Sequence, residues 1–162
     1  MTITLSQLEQ LSCFKRLTIG PEHLDVMEHM NVRHYMAIFD EAAWCFFASF
    51  GMDEAYYRGG VGGGFALQQS VRYLAECRVG DVVSVRGRMI GRSAKRIHFM
   101  LFMINESKST MAATVETLGS HADMQVRRTS AYPPHIAARI DALIAESEAL
   151  DWEAPVCGVI QP

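Results

Sequence analysis

Between residues 23 and 34 the chain reads HLDVMEHMNVRH, which crowds His23, Asp25, Glu28, His29, Asn31, Arg33 and His34 into one short stretch. A carboxylate can attack an electrophilic carbon or take a proton from water, and an imidazole can move protons near neutral pH. Histidines beside acids can also ligate a metal, but these spacings match no standard site, so no metal is expected. Taken singly, Asp25 reads as a turn or capping residue. His29 reads equally as a ligand-facing polar group and as a partly buried, hydrogen-bonded imidazole. His23 and His34 read as surface or locally satisfied histidines. Asn31 is a good N-cap, because its side-chain oxygen can accept a free backbone N–H of a first helical turn. Direct contact with a reactant is its second option.

The element that must position these groups follows at once. From Asn31, apolar residues recur at Tyr35, Phe39, Ala42, Phe46 and Phe50, with a neighbouring row at Met36, Ala43 and Phe47. These spacings predict a helix of ~20 residues and ~30 Å, ended by Gly51. Polar residues on it are few, so it should be enclosed on several sides. Residues 5–12 suit one or two helical turns, and Phe14–Ile19 suits a short strand stopping at Gly20-Pro21. The glycine-rich stretch 56–64 is expected to be irregular, flexible or closely approached by something else. It lacks the Gly-Lys-Ser/Thr of a phosphate-binding loop.

Four strands are expected next, at about 65–74, 82–89, 96–105 and 110–123. The second alternates, with Val83, Val85 and Met89 on one face and Ser84, Arg86 and Arg88 on the other. The third, RIHFMLFMIN, is apolar on both faces and should be central. Short links favour antiparallel neighbours. After Pro133-Pro134 a terminal helix at about 135–150 should pack on the outside of the sheet. A very apolar helix followed by antiparallel strands calls for an α+β hotdog fold, a curved antiparallel sheet wrapped around one long central helix. A flat sheet would leave aromatics of residues 35–50 in water, and at ~25 cal/mol per Å2 a few of them cost several kcal/mol.

The 162 residues suit a single domain, 1–162. Hydrophobic residues at 49% and charged residues at 20% make a globular chain rather than a disordered one. A net charge of -3 supplies no basic field for nucleic acid. The longest apolar run, Ala42–Phe50, is shorter than the ~20 residues a bilayer requires, so no membrane partner is expected. Cys13, Cys45, Cys77 and Cys157 are scattered, and without a secretory signal they point to reduced thiols in a cytoplasm. No G-x-S-x-G stretch is present.

The stretch LDVMEHMNVRHYMAIFDEA resembles the signature of hotdog acyl-CoA thioesterases related to 4-hydroxybenzoyl-CoA thioesterase, with Asp25, the triplet His29-Met30-Asn31 and Tyr35 at matching spacing. A second stretch, SVRYLAECRVGDVVSVRGRMIGRSAKRIHF, is similar to that family's second strand, tight turn and third strand. Together they cover roughly residues 14–130. The chain departs from the family at Glu28, where many relatives carry Gly, and at Val32, where many carry a second Asn.

The resemblance implies an acyl-CoA substrate, with coenzyme A entering as part of it and no further cofactor. It implies that Asp25 acts as nucleophile or as general base on water. A helix N-terminus can stabilise the oxyanion, since its first N–H groups are free and its dipole is positive there. The N–H of Val32 is the candidate, with His29 and Asn31 beside it. Arg92, Lys95 and Arg96 read as a solvated hairpin, or through the resemblance as the group that meets the phosphates of coenzyme A. Unsatisfied sheet edges favour a homodimer, with a dimer of dimers as the larger option. Two other functions fit the fold: a hydratase or dehydratase using His29 with Asp40 or Glu41, and a non-catalytic acyl-CoA-binding module.

Overall fold

The computed structural model describes residues 3–162. Its elements are α1 (Leu5–Glu9), β1 (Cys13–Thr18), a 3-10 turn at Pro21–His23, α2 (Val32–Ser49), α3 (Glu54–Arg58), β2 (Gly62–Tyr73), β3 (Val82–Arg92), β4 (Arg96–Asn105), β5 (Thr110–Asp123), β6 (Arg128–Thr129) and α4 (Pro134–Glu148). The strands form one six-stranded sheet in the order β1-β3-β4-β5-β2, with β6 paired to β5. β1 runs antiparallel to β3, Leu17 opposite Val83 and Thr18 opposite Val82. Bonds from Met124 N to Val61 O and from Leu74 N to Ala112 O show that β2 and β5 also run in opposite directions. A long helix with a run of antiparallel strands is the α+β hotdog fold the sequence implied.

The chain divides into two compact units. One comprises residues up to Cys45 with Val71–Gly87 and Leu101–Val115, and the other Phe46–Ser70, Arg88–Met100 and Glu116–Pro162. α2, β2, β3, β4 and β5 each give a segment to both units. In the first unit the core includes Leu8, Ile19, Tyr35, Ile38, Phe39, Val83, Val85 and Leu101. In the second, Phe46 packs on Phe50 and Phe99 with ring centroids 5.7 and 5.3 Å apart. α4 begins on Pro134, where a missing N–H costs nothing, and buries Ile136 and Ile140. Gly51 ends α2 at φ +101°, a conformation that disfavours any side chain.

Three expectations change. Residues 56–64 are not irregular: Tyr56–Arg58 belong to α3, capped by Asp53 Oδ1 accepting from Tyr56 N at 2.8 Å, and β2 starts at Gly62. The glycine at 62 answers to close approach, because a Cβ there would collide with the Tyr56 hydroxyl. α2 is not enclosed on several sides within the chain: Tyr35, Ile38, Phe39, Ala42, Phe46 and Phe50 are buried, while Asp40, Glu41, Trp44 and Ala48 are exposed. Both faces of β3 are covered, since Ser84 and Arg88 are buried along with Val83 and Val85. The Arg88 guanidinium donates to the carbonyls of Ser147 and Trp152, both at 2.8 Å, and lies 4.3 Å from the Trp152 ring centroid. A long cation could only be buried there because the C-terminal segment brings it acceptors and an aromatic face.

Candidate active site

The approach to α2 is a small closed loop. Leu24 and Met30 form an antiparallel bridge, Asp25 N donates to His29 O at 3.0 Å, and Glu28 N donates to Asp25 O at 3.0 Å. Closing so tight a turn puts Glu28 at φ +62°, in the left-handed region where Gly is favoured. That requirement supplies a physical reason for the Gly that the family resemblance would place there.

The two oxygens of Asp25 do different things. Oδ1 accepts the N–H of Met27 at 2.9 Å, the Asx-turn role its residue type suggested. Oδ2 lies 3.5 Å from His29 Nδ1, within ion-pair reach but longer than a good hydrogen bond. The Asp25 side chain is only 17% exposed and that of His29 is 32% exposed. Neither is turned to bulk solvent.

Two residues on, Asn31 caps α2. Its Oδ1 accepts from Arg33 N at 3.1 Å, and its carbonyl accepts from His34 N at 2.9 Å. These bonds occupy the second and third amides of the helix and leave the N–H of Val32 as the donor at its tip. The Val32 side chain is exposed. His23 and His34 have local partners: His23 Nδ1 accepts from Gly20 N at 2.9 Å, and His34 Nε2 accepts from Arg33 Nε at 3.2 Å. Burial, then the adjacent Arg33 charge, hold the His34 pKa below its ordinary value.

Sequence reasoning missed the connection after β2. Tyr35, read as an apolar helix position and as part of the family signature but given no bonding role, donates its hydroxyl to Ala75 O at 3.1 Å and accepts from Cys77 N at 3.2 Å. Cys77 O accepts from Met30 N at 2.7 Å. The signals in the sequence were its place in the family signature and the hydroxyl itself, since a buried phenol O–H must find a partner.

Asp25, His29, Asn31 and Val32 belong to the first unit, and Arg92, Lys95 and Arg96 to the second. Arg92 is engaged: its Nε and Nη2 donate to the two Asp141 oxygens, each at 2.6 Å, and hydrogen bonding to that carboxylate raises its pKa. Lys95 and Arg96 are exposed, in a turn closed by Ser93 N donating to Arg96 O at 2.9 Å. Asp40 and Glu41, weighed as partners for His29, are exposed on α2, and Glu41 pairs with Lys15 at 2.7 Å. Among the described residues no group of three His, Cys, Asp or Glu side chains could hold a metal, and no helix is long and apolar enough to cross a membrane.

Chemically, the loop presents one carboxylate oxygen held by a backbone amide and one facing an imidazole, and a capped helix tip whose Val32 N–H has no hydrogen-bond partner among the described residues. Comparison with known proteins bears on what such a set is used for. Residues 19–140 match the family model described as the thioesterase-like superfamily. A protein of Agrobacterium fabrum named L-carnitine dehydrogenase/betainyl-CoA thioesterase is 30% identical over 77% of this chain, which spans only 25% of that relative's length. A Pseudomonas aeruginosa protein named betainyl-CoA thioesterase is 25% identical, over 80% of this chain and 82% of its own length. Among solved structures, a Staphylococcus aureus protein described as hypothetical and solved in complex with CoA superposes with a TM-score of 0.80, at 23% identity, over 94% of this chain and 93% of that one.

Proposed function

We propose, for a chain that belongs to the thioesterase-like superfamily, hydrolysis of acyl-CoA thioesters to the free acid and coenzyme A, with betainyl-CoA as the first substrate to test. The observation that carries the reading is the Asp25 carboxylate, mostly withdrawn from solvent in the loop that feeds the α2 tip.

In this mechanism Oδ2 of Asp25 is the reactive oxygen, because Oδ1 is held by Met27 N. It either adds to the thioester carbon, giving an anhydride that water then opens, or takes a proton from a water that adds in its place. Each route places negative charge on the former carbonyl oxygen. The Val32 N–H and the positive end of α2 are the groups proposed to stabilise it. Collapse breaks the C–S bond, and coenzyme A leaves as a thiolate that needs no strong general acid. His29 beside Oδ2 steadies the carboxylate, and Asn31 keeps the helix tip in shape. Lys95 and Arg96, both exposed, are the cations proposed to meet the phosphates of coenzyme A. Arg92 would have to release Asp141 to join them. The acting form is proposed as a homodimer.

The test is purified protein with a panel of CoA esters and a thiol reagent: betainyl-CoA, short and long aliphatic esters, and an aromatic one. Release of CoA from at least one ester, at a rate well above the spontaneous one, is expected. Enoyl-CoA hydration without CoA release, or thermal stabilisation by esters without turnover, would replace this reading by a hydratase or a binding module.

A further inference from the structure

An amide that stabilises a transient oxyanion must be held still, since a donor displaced by a fraction of an ångström loses much of its effect. Asn31 holds the α2 tip from within the helix. What holds it from outside is the backbone of Cys77, bonded on both sides of that tip. Its carbonyl takes the N–H of Met30, just before the cap, and its N–H donates to the hydroxyl of Tyr35, one turn after it. The same hydroxyl donates to Ala75 O, so one phenol fixes two carbonyl-to-amide positions of the connection.

The connection is itself anchored. Cys77 is fully buried, and Asn105 Nδ2 lies 3.7 Å from its sulfur. The same Nδ2 donates to Asp81 Oδ2 at 2.8 Å, which also takes Arg78 N at 2.8 Å and Lys108 Nζ at 2.9 Å. Burial works against the Asp81 charge, but hydrogen bonds from Lys108, Arg78 N and Asn105 outweigh it and lower its pKa. A buried carboxylate with three donors is a rigid post. Tyr35 is 5% exposed, and its ring packs edge-on against Tyr73 with centroids 5.3 Å apart.

We infer that Tyr35 is a positioning residue for the proposed hydrolysis: its hydroxyl clamps the Ala75–Cys77 segment to the first turn of α2 and so sets the height of the Val32 amide over the reacting carbonyl. This rests on the thioesterase reading, but the clamp has a readout of its own.

Tyr35→Phe keeps the packed ring and removes only the hydroxyl. Its kcat is expected to fall at least tenfold with KM within a factor of two, at a temperature where the variant is folded. Amide hydrogen exchange at Met30 and Cys77 should quicken at least tenfold while the amides of β4 keep their protection. A kcat within twofold of wild type overturns the positioning role, and unchanged exchange at both amides overturns the clamp whatever the activity. Should Tyr35→Phe fail to fold, Lys108→Met decides. It removes the exposed partner of Asp81 and should quicken exchange at Cys77, and unchanged exchange there overturns the anchored clamp. If wild-type protein releases no CoA from any ester, the functional reading falls, while the exchange experiment still decides the clamp.

Discussion

At the residue scale, the two oxygens of Asp25 have different surroundings, which lets the turn role and the proposed catalytic role fall on different atoms. Oδ1 closes the turn and Oδ2 is left beside His29. Asp25→Asn keeps the Oδ1 bond to Met27 and abolishes the carboxylate's basicity. Turnover should therefore drop at least a hundredfold while the thermal midpoint stays near wild type. A normal kcat in that variant would remove the mechanism. Glu28 gives a second test. A side chain at φ +62° costs on the order of 1 kcal/mol, so Glu28→Gly should stabilise the fold or leave it unchanged, despite the entropy Gly adds to the unfolded chain. Denaturant midpoints measure this, and a loss of more than about 1 kcal/mol would mean that the Glu28 side chain makes a stabilising contact. Asp25, His29, Asn31 and Val32 were legible as candidates because they sit within eight consecutive residues. The hydroxyl bonds of Tyr35 were not, since their acceptor and donor lie 40 and 42 positions away.

At the scale of elements, β5 carries two buried histidine arrangements outside the proposed site. In β4 and β5, His98 Nε2 meets Glu116 Oε1 at 2.8 Å, and Cys157 N donates to Glu116 Oε2 at 2.6 Å. Near the end of β5, His121 Nε2 is hydrogen-bonded to the Tyr56 hydroxyl at 2.6 Å, and His121 Nδ1 faces Ser130 at 2.9 Å to Oγ and 3.2 Å to O. This set joins α3, the glycines that open β2, and the segment after β6, so stretch 56–64 is ordered from outside itself. Burial holds the His121 pKa below its ordinary value. The unfolded chain therefore takes up the proton first as pH falls. His121 stabilises the fold above about pH 6.5, and its contribution declines as pH drops from there through the folded-state value. Thermal midpoints of wild type should fall more steeply below about pH 6.5 than those of His121→Asn. Parallel slopes would mean that His121 carries none of the acid sensitivity.

At the scale of the whole molecule, β2 is an edge strand of twelve residues on which Phe65, Leu67 and Tyr73 are each nearly half exposed. A long apolar edge of this kind is a template for pairing with another chain. The proposed homodimer predicts a mass in light scattering of about twice 18.1 kDa at micromolar protein. Leu67→Lys should shift that toward the monomer, and a wild-type monomer at tens of micromolar would end the edge-pairing proposal.

The sequence by itself determined the order of the long helix, the four main strands and the terminal helix, the start and end of α2, the central place of β4 and the residues crowded before the helix. Each of these is encoded in periodicity, caps and turn residues acting over a few positions. Only the tertiary structure decided which groups are free to react. It tied Arg92 to Asp141, 49 positions away, left Lys95 and Arg96 exposed, buried Arg88 beneath Trp152 and set Cys77 against both sides of the α2 tip. The physical reason is that burial repeats with the period of an element. The partner of a polar group depends instead on which distant segment the register brings beside it.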